Sequence, residues 1–180
     1  RQDPLAVFPD GRRRGPPDTG GMNALVLYES KYGNTEKVAE AIALALQESL
    51  PTRLAAVAEI DDCAEALQGI QLLVVGGPTH RHGVSPVLRE TLACLGGRAL
   101  DGVRVATFDT RLHGPRVVTG SAAVRLARLL RRHGAFVVVP AASFLVESGE
   151  GPLDTGEIEH AQAWAREVLQ TLGVRPRALV

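Results

Sequence analysis

Short apolar runs that alternate with helical patterns most constrain what this chain can fold into. Five runs have the character of buried strands; they are Asn23–Tyr28, Thr52–Ala58, Ile70–Val75, Val103–Phe108 and Ala135–Val139. Helical spacing of apolar residues predicts five helices after them; these are Glu36–Leu50, Ala64–Gln68, Ser85–Leu95, Ser121–His133 and Glu157–Leu172. Such alternation predicts an α/β fold with three layers, in which helices cover both faces of a doubly wound, five-stranded parallel sheet.

Composition narrows the class of protein further. The 180 residues are enough for one domain with a buried core. Because 20 basic and 20 acidic side chains cancel, bulk charge gives no support to nucleic-acid binding. The apolar runs are much shorter than the roughly 18–20 residues that span a bilayer, so no membrane association is predicted. Cys63 and Cys94 lack the spacing of a metal cluster and are interpreted as buried apolar residues in a reducing, cytoplasmic compartment.

The first 21 residues differ from the rest in composition. They contain four prolines, four glycines and the basic run Arg12–Arg14, with no usable hydrophobic period. A basic run without a following apolar region does not resemble a secretory signal. We therefore expect residues 1–21 to be a disordered extension, residues 22–172 to form the folded domain, and residues 173–180 to be a C-terminal tail.

The junction between the first strand and the first helix is the candidate binding element. In open parallel sheets, ligands bind beyond the carboxyl ends of the strands. A strand that leads directly into a helix can aim several backbone N–H groups at one anion, and the helix dipole strengthens that field. Polar or flexible residues fill this junction; they are Ser30, Lys31, Tyr32, Gly33, Asn34 and Thr35. They favour a phosphomonoester, although an ordinary helix start capped by Ser or Thr fits the same pattern.

The stretch Val26–Ile42 (VLYESKYGNTEKVAEAI) resembles the phosphate-binding signature of the flavodoxin family. The resemblance implies non-covalently bound FMN, with its phosphate in the junction just described. It also implies strand order 2-1-3-4-5, in which the fifth strand lies at an edge of the sheet. Pro140, at the end of the fifth strand pattern, suits that position because proline is tolerated only on edge strands.

Two later segments are similar to the loops that hold the flavin ring in this family. The segment Gly76–Gly83 follows the third strand and has the form G-x-P-T-x-x-x-G; the resemblance assigns cofactor contacts to Pro78, Thr79, His80, Arg81, His82 and Gly83. The fourth strand leads into a further loop; there the resemblance implies contacts from Asp109, Thr110 and Arg111.

Several functions remain open at this point. His80 and His82 could form half of a metal site, but we expect flavin contact, since no third ligand stands nearby. No catalytic nucleophile is predicted. The resemblance favours electron transfer between a donor reductase and an acceptor protein. The alternatives are a reductase that passes hydride from NAD(P)H to a quinone-type acceptor, and an interaction module that has lost its cofactor. Family members that carry electrons are commonly acidic and stack larger aromatic rings on the flavin, unlike this near-neutral chain.

Overall fold

The computed structural model describes residues 22–79, 83–93, 95 and 98–174. The expectations for the extension at 1–21, for His80, Arg81 and His82, for Cys94 and for most of the tail therefore lie outside the described residues. The strands are β1 (Ala24–Tyr28), β2 (Thr52–Ala56), β3 (Leu72–Pro78), β4 (Arg104–Leu112), β5 (Phe136–Val137) and β6 (Ala142–Val146). The helices are α1 (Asn34–Gln47), α2 (Cys63–Ala66), α3 (Pro86–Ala93), α4 (Arg116–Thr119), α5 (Ala122–Arg132) and α6 (Glu157–Thr171), with one 3-10 turn at Val57–Glu59.

The strands form one parallel sheet in the order β2-β1-β3-β4-β5, with β6 also paired to β4. The predicted fold class and strand order are therefore confirmed. In the centre of the sheet, Tyr28 at the end of β1 lies opposite Ala56 of β2 and Gly76 of β3. These in-register endings bring the loops that follow β1 and β3 to the same edge of the sheet.

Side-chain alternation along β1 divides the molecule into two cores. Ala24, Val26 and Tyr28 face α1 and α6, whereas Leu25 and Leu27 face the opposite side, where α3 and α5 pack. A strand that is buried on both faces needs apolar residues at every position, which explains its continuous apolar sequence. Cys63 is buried in the second core, as its interpretation as a small apolar residue requires.

The edge of the sheet beyond β4 differs from the prediction in detail. The predicted strand Ala135–Val139 is reduced to the two residues of β5, and Pro140 separates it from β6, which the sequence did not predict. β5 pairs with the start of β4 and β6 with its end, where Phe108 lies opposite Ala142. A proline has no N–H to donate to β4, so the pairing is interrupted at the edge strand and resumes beyond it.

Within the part of the chain that the structure describes, no helix is both long enough and apolar enough to cross a membrane.

Candidate functional site

One pocket opens at the carboxyl edge of the sheet, where the loops after β1, β3, β4 and β6 meet. Its volume is about 100 Å³. Its lining combines predicted site residues with others; it consists of Ser30, Lys31, Tyr32, Asn34, Thr35, Pro78, Thr79, Thr110, Arg111, Leu112, Val146 and Gly149. Nine of the fifteen residues proposed from the sequence thus share a single cavity.

The junction between β1 and α1 leaves backbone donors without side-chain partners. α1 begins two residues earlier than predicted, at Asn34, and its N-cap is Gly33, with φ of +81° and no side-chain capping bond. The first intrahelical bond runs from the Lys37 N–H to the Gly33 carbonyl oxygen. The N–H groups of residues 34–36 therefore precede the hydrogen-bonding ladder of the helix. A helix start capped by Ser or Thr, the alternative reading of this sequence, is not what the structure has.

Ser30 places a hydroxyl group in the same turn. Its Oγ is buried and has no hydrogen-bond partner among the residues that the structure describes. A buried hydroxyl without a partner costs free energy, about 1–3 kcal/mol in typical proteins. A phosphate oxygen in the turn would accept from this hydroxyl and from the first N–H groups of α1, so the residues fit the phosphate of FMN.

Thr35 and Thr110 bring a second pair of hydroxyl groups to the pocket from different elements. Thr35 lies in the first turn of α1 and Thr110 in β4, and both side chains are buried. Their Oγ1 atoms lie 2.7 Å apart, within hydrogen-bond distance. Thr35 was predicted from the junction between the first strand and the first helix, and Thr110 from the end of the fourth strand. The structure places the two side chains in direct contact.

Asn34 is engaged by the loop between β6 and α6. Its Nδ2 donates to the Glu150 carbonyl oxygen over 2.9 Å, and the side chain is almost fully buried. Gly151 follows with φ of +105°, and a Cβ added there would lie 2.5 Å from Asn34 Nδ2. The Asn34 amide was expected to donate to phosphate. One of its hydrogens instead bonds to the loop between β6 and α6, and this bond holds the loop against the start of α1.

Lys31 and Tyr32 form the exposed rim of the pocket. The Tyr32 side chain is 47% exposed, and Lys31 Nζ lies 5.0 Å from the centre of its ring. At that distance the ammonium group is attracted to the face of the ring. The rim therefore presents one aromatic surface and one positive charge beside the candidate anion-binding turn.

Asp109 supports the site from inside the protein, without lining the pocket. Its side chain is fully buried, and Oδ2 accepts hydrogen bonds from Thr79 Oγ1 (3.0 Å), Ser121 Oγ (2.6 Å) and the Ala123 N–H (3.0 Å). Thr79 Oγ1 in turn accepts from the Ala122 N–H over 3.0 Å. The carboxylate thus joins the end of β3 to the start of α5 and orients Thr79, one of the pocket residues.

Arg111 lines the pocket but directs part of its guanidinium group to the loop after β4. Nη1 lies 2.8 Å from the Gly114 carbonyl oxygen and 2.9 Å from Thr119 Oγ1. Nε is buried and has no hydrogen-bond partner among the residues that the structure describes. The Arg111 side chain therefore stabilises the loop after β4, and its buried Nε–H group has no acceptor among the described residues.

His113 and Asp154 connect two loops that border the pocket. His113 Nε2 lies 2.5 Å from Asp154 Oδ2, which joins the loop after β4 to the segment before α6. The histidine is largely exposed and the carboxylate mostly buried. When the imidazole is protonated, the contact is an ion pair.

Tyr28, at the end of β1, contacts the first turn of α1. Its hydroxyl donates to Glu36 Oε1 in the first turn of α1 over 2.9 Å. Burial, together with this carboxylate, raises the pKa of Tyr28 from its ordinary value of 10 to about 12. The neutral phenol thus ties the end of β1 to the start of α1, on either side of the phosphate-type turn.

Sequence reasoning missed three of the lining residues, Leu112, Val146 and Gly149. β4 continues four residues beyond its predicted end, to Leu112, and Val146 ends the unpredicted strand β6. The short, mostly apolar run Ala142–Val146 after Pro140 was the available signal for that strand. Gly83, by contrast, was predicted, and it is buried beside Arg125 outside the lining of this pocket.

The fold and the site together place the chain in a general class. Its members are doubly wound α/β proteins with an uncapped helix start at the carboxyl edge of the sheet. Residues 26–113 match the model of the flavodoxin family. That segment contains the β1–α1 junction, the loop after β3 and the whole of β4. The chain belongs to the flavodoxin family, whose members bind flavin.

Solved structures agree with this assignment at the level of the fold. A flavodoxin from the domain Archaea superposes with a TM-score of 0.69 at 16% identity, over 84% of this chain and 99% of that one. Oxidised flavodoxin 1 from Bacillus cereus gives a TM-score of 0.69 at 18% identity, over 82% and 97%. Rubredoxin oxygen:oxidoreductase from Desulfovibrio gigas gives 0.66 at 19%, over 84% of this chain but 36% of that larger one.

Proposed function

We propose that the chain binds FMN non-covalently and carries electrons between other proteins. The observation that carries this proposal is the uncapped start of α1 beside the buried, unpartnered hydroxyl of Ser30. Backbone N–H groups at a helix N-terminus and a hydroxyl donor are the groups that bind a phosphate dianion. The family match over residues 26–113 supports the same cofactor class.

The residues of the pocket divide the work of binding. The turn from Ser30 to Thr35 would hold the phosphate, with Lys31 adding a positive charge at the rim. Pro78, Thr79 and Leu112 would flank the remainder of the cofactor, and the Asp109 network keeps Thr79 in place. When bound, FMN supplies the chemistry of accepting and donating electrons, while the protein supplies binding, orientation and electrostatics.

Electron transfer is preferred to an independent reductase because residues 26–113 match the flavodoxin family, and that resemblance favours a carrier of electrons. The pocket of about 100 Å³ contains groups suited to phosphate and ring contacts. Within the part of the chain that the structure describes, no cluster of His, Cys, Asp or Glu could hold a metal ion. The proposal assigns the chain one flavin as its redox centre because residues 26–113 match the flavodoxin family.

Absorption spectroscopy and a hydride assay test the proposal together. We expect the chain, purified and mixed with FMN, to become yellow with a shifted flavin spectrum and to quench flavin fluorescence at a one-to-one ratio. Reduced by dithionite, it should return electrons to an added acceptor protein. The proposal is wrong if no FMN binds. Rapid oxidation of NADH or NADPH by the loaded chain alone would instead identify a reductase.

A further inference from the structure

Helix α5 presents a face made of arginine. Its sequence, AAVRLARLLRR, contains four arginines and no acidic residue. All four side chains are exposed; they are Arg125, Arg128, Arg131 and Arg132. Among the residues that the structure describes, none of these guanidinium groups has an ion-pair or hydrogen-bond partner. This set of residues is the α5 arginine face.

The spacing of the arginines makes them one continuous surface. At about 100° per residue, the four positions span roughly 120° of the helix circumference. The buried residues of the same helix, including Leu126 and Leu130, lie on the opposite side, against the sheet. From Arg125 to Arg132 the face extends about 10 Å along the helix axis. It is therefore compact enough to match a single patch on another molecule.

Helix stability explains only part of this composition. Arg131 and Arg132 lie in the last turn, where basic side chains interact favourably with the helix dipole. Arg125 and Arg128 lie in the first and middle turns, where the dipole gives them no such advantage. Four like charges on one face repel each other unless something opposite approaches. Charge complementarity thus points to an acidic occupant.

The α5 arginine face begins beside the cofactor pocket. A Cβ added at Gly83, which follows β3, would lie 2.9 Å from Arg125 Nη1, so this guanidinium packs against Gly83. The first N–H groups of α5 donate to Thr79 and Asp109 within the network that supports the pocket. A molecule bound to this face would be held next to the proposed redox centre.

The distribution of charge over the rest of the molecule favours a protein over an extended polyanion. The chain as a whole is formally neutral. On the other side of the sheet, α1 and α6 together carry five glutamates against one lysine and one arginine. Nucleic acids and anionic membranes are bound by broad positive fields, which this distribution does not provide. One basic helix face suits a local acidic patch on a folded partner.

We propose that the α5 arginine face is the docking surface for an acidic redox partner protein. The proposal rests on the proposed function for the partner's role, because only a flavin-bearing chain exchanges electrons there. It departs from the acidic charge common among electron carriers of this family. Docking of this kind depends on ionic strength, since it is driven by complementary charge.

The test uses a plant-type [2Fe–2S] ferredoxin, a small acidic protein, as the probe. Its affinity for the full chain is measured by biolayer interferometry at about 20 mM and about 200 mM salt. The variant Arg125→Gln/Arg128→Gln/Arg132→Gln should lose at least about tenfold in affinity at low salt, together with most of the salt dependence. The matched control is Lys37→Gln/Arg53→Gln/Arg166→Gln, which removes three exposed basic charges elsewhere. It should change the affinity by less than about threefold.

Each other result overturns the proposal. If both variants lose affinity equally, net charge alone matters; if wild type does not bind ferredoxin, no such surface exists. Tighter binding of duplex DNA, lost in the same variant, would identify the face as a nucleic-acid site. Should the triple variant fail to fold by circular dichroism, Arg128→Glu alone replaces it and should also weaken binding at least about tenfold.

The proposed function and the docking surface fail separately in this design. Association of ferredoxin does not require bound flavin, whereas FMN titration reports the cofactor site alone. With FMN bound, a second readout follows the step in which one electron leaves the reduced iron–sulfur cluster and enters the flavin. We expect the second-order rate to fall at least about tenfold in the α5 variant and to be retained in the control. Normal FMN binding with an unchanged rate would overturn the docking surface only.

Discussion

The hydroxyl groups of Thr35 and Thr110 lie 2.7 Å apart in the lining of the pocket, and both side chains are buried. Two hydroxyl groups carry two hydrogens, and their mutual bond uses one of them. Whichever threonine donates, the other O–H remains available toward the pocket. The pair can therefore offer one donor to a bound anion while it holds α1 against β4.

This arrangement predicts a phosphate-specific loss of affinity. The variant Ser30→Ala/Thr35→Val removes the unpartnered Ser30 hydroxyl and one member of the pair. A hydrogen bond to a charged group contributes about 1.5–3 kcal/mol, so each lost bond should weaken FMN about ten- to a hundredfold. Riboflavin, which lacks the phosphate, should bind the variant and the wild type alike. Flavin fluorescence titration measures both affinities.

The control for this experiment is Ser49→Ala, which removes a buried hydroxyl at the far end of α1. It should leave both affinities unchanged. Equal losses of FMN and riboflavin in the Ser30/Thr35 variant would show that the turn does not bind phosphate.

Gly151 should be far less tolerant of substitution than Gly149, although they are two residues apart. Gly151→Ala places a methyl group 2.5 Å from Asn34 Nδ2 and forces a side chain on a backbone with φ of +105°. Such strain costs on the order of 1–3 kcal/mol in unfolding free energy. Gly149→Ala meets no atom within 4 Å, so its stability should change by less than about 0.5 kcal/mol. Urea denaturation compares the two; similar midpoints would contradict the contact with Asn34.

Asp109 offers a test between a structural role and direct contact with the cofactor. The resemblance assigns it to the flavin site, whereas its Oδ2 accepts from Thr79, Ser121 and Ala123. Asp109→Asn should lower the unfolding free energy by about 2–3 kcal/mol, because it weakens hydrogen bonds to a charged group. Thr79→Val, which removes one of these donors, should cost about 1 kcal/mol. Unchanged stability with a large loss of FMN affinity would restore the role as a cofactor contact.

Local patterns were sufficient to predict most of the fold. β1 is buried on both faces and therefore has a continuous apolar sequence, whereas α1 is buried on one face and has apolar residues at helical spacing. Burial thus determines the pattern from which each element was predicted. The edge was harder to predict. Pro140 indicated an edge position correctly, but the pairing of Ala142–Val146 with the end of β4 depends on a neighbour distant in sequence.

The candidate site, like the fold, could be predicted only in part from local sequence patterns. Ser30 and Gly33 lie in one continuous junction, so local spacing indicated either an anion-binding turn or a capped helix start, and the flavodoxin resemblance favoured the first. The bond of Asn34 to Glu150 joins residues 116 positions apart, and no local pattern contains it. The inward direction of Asp109 likewise depends on where α5 packs. Resemblance locates a loop, but tertiary packing decides which of its side chains reach the pocket.

The raised pKa of Tyr28 predicts how the free energy of unfolding depends on pH in the alkaline range. Burial and the Glu36 carboxylate raise its pKa from 10 to about 12. The folded state therefore retains the phenol proton in a range of pH where the unfolded chain has lost it. The stabilisation is fully present below pH 10 and is lost as pH rises through about 12. At about 1.36 kcal/mol per pKa unit, the loss amounts to at most about 2.7 kcal/mol.

The variant Tyr28→Phe should make the unfolding free energy less dependent on pH between 10 and 12, while lowering it at neutral pH through the lost bond to Glu36. The chain has only one other tyrosine, Tyr32, which is 47% exposed. Tyr32→Phe is therefore the matched control and should keep the alkaline loss. It also leaves Tyr28 as the single phenol, so tyrosinate absorbance in that variant follows this residue directly. A Tyr28 titration centred at pH 10 would contradict the buried contact with Glu36. It would also contradict the hydrogen bond by which the neutral phenol joins the end of β1 to the start of α1.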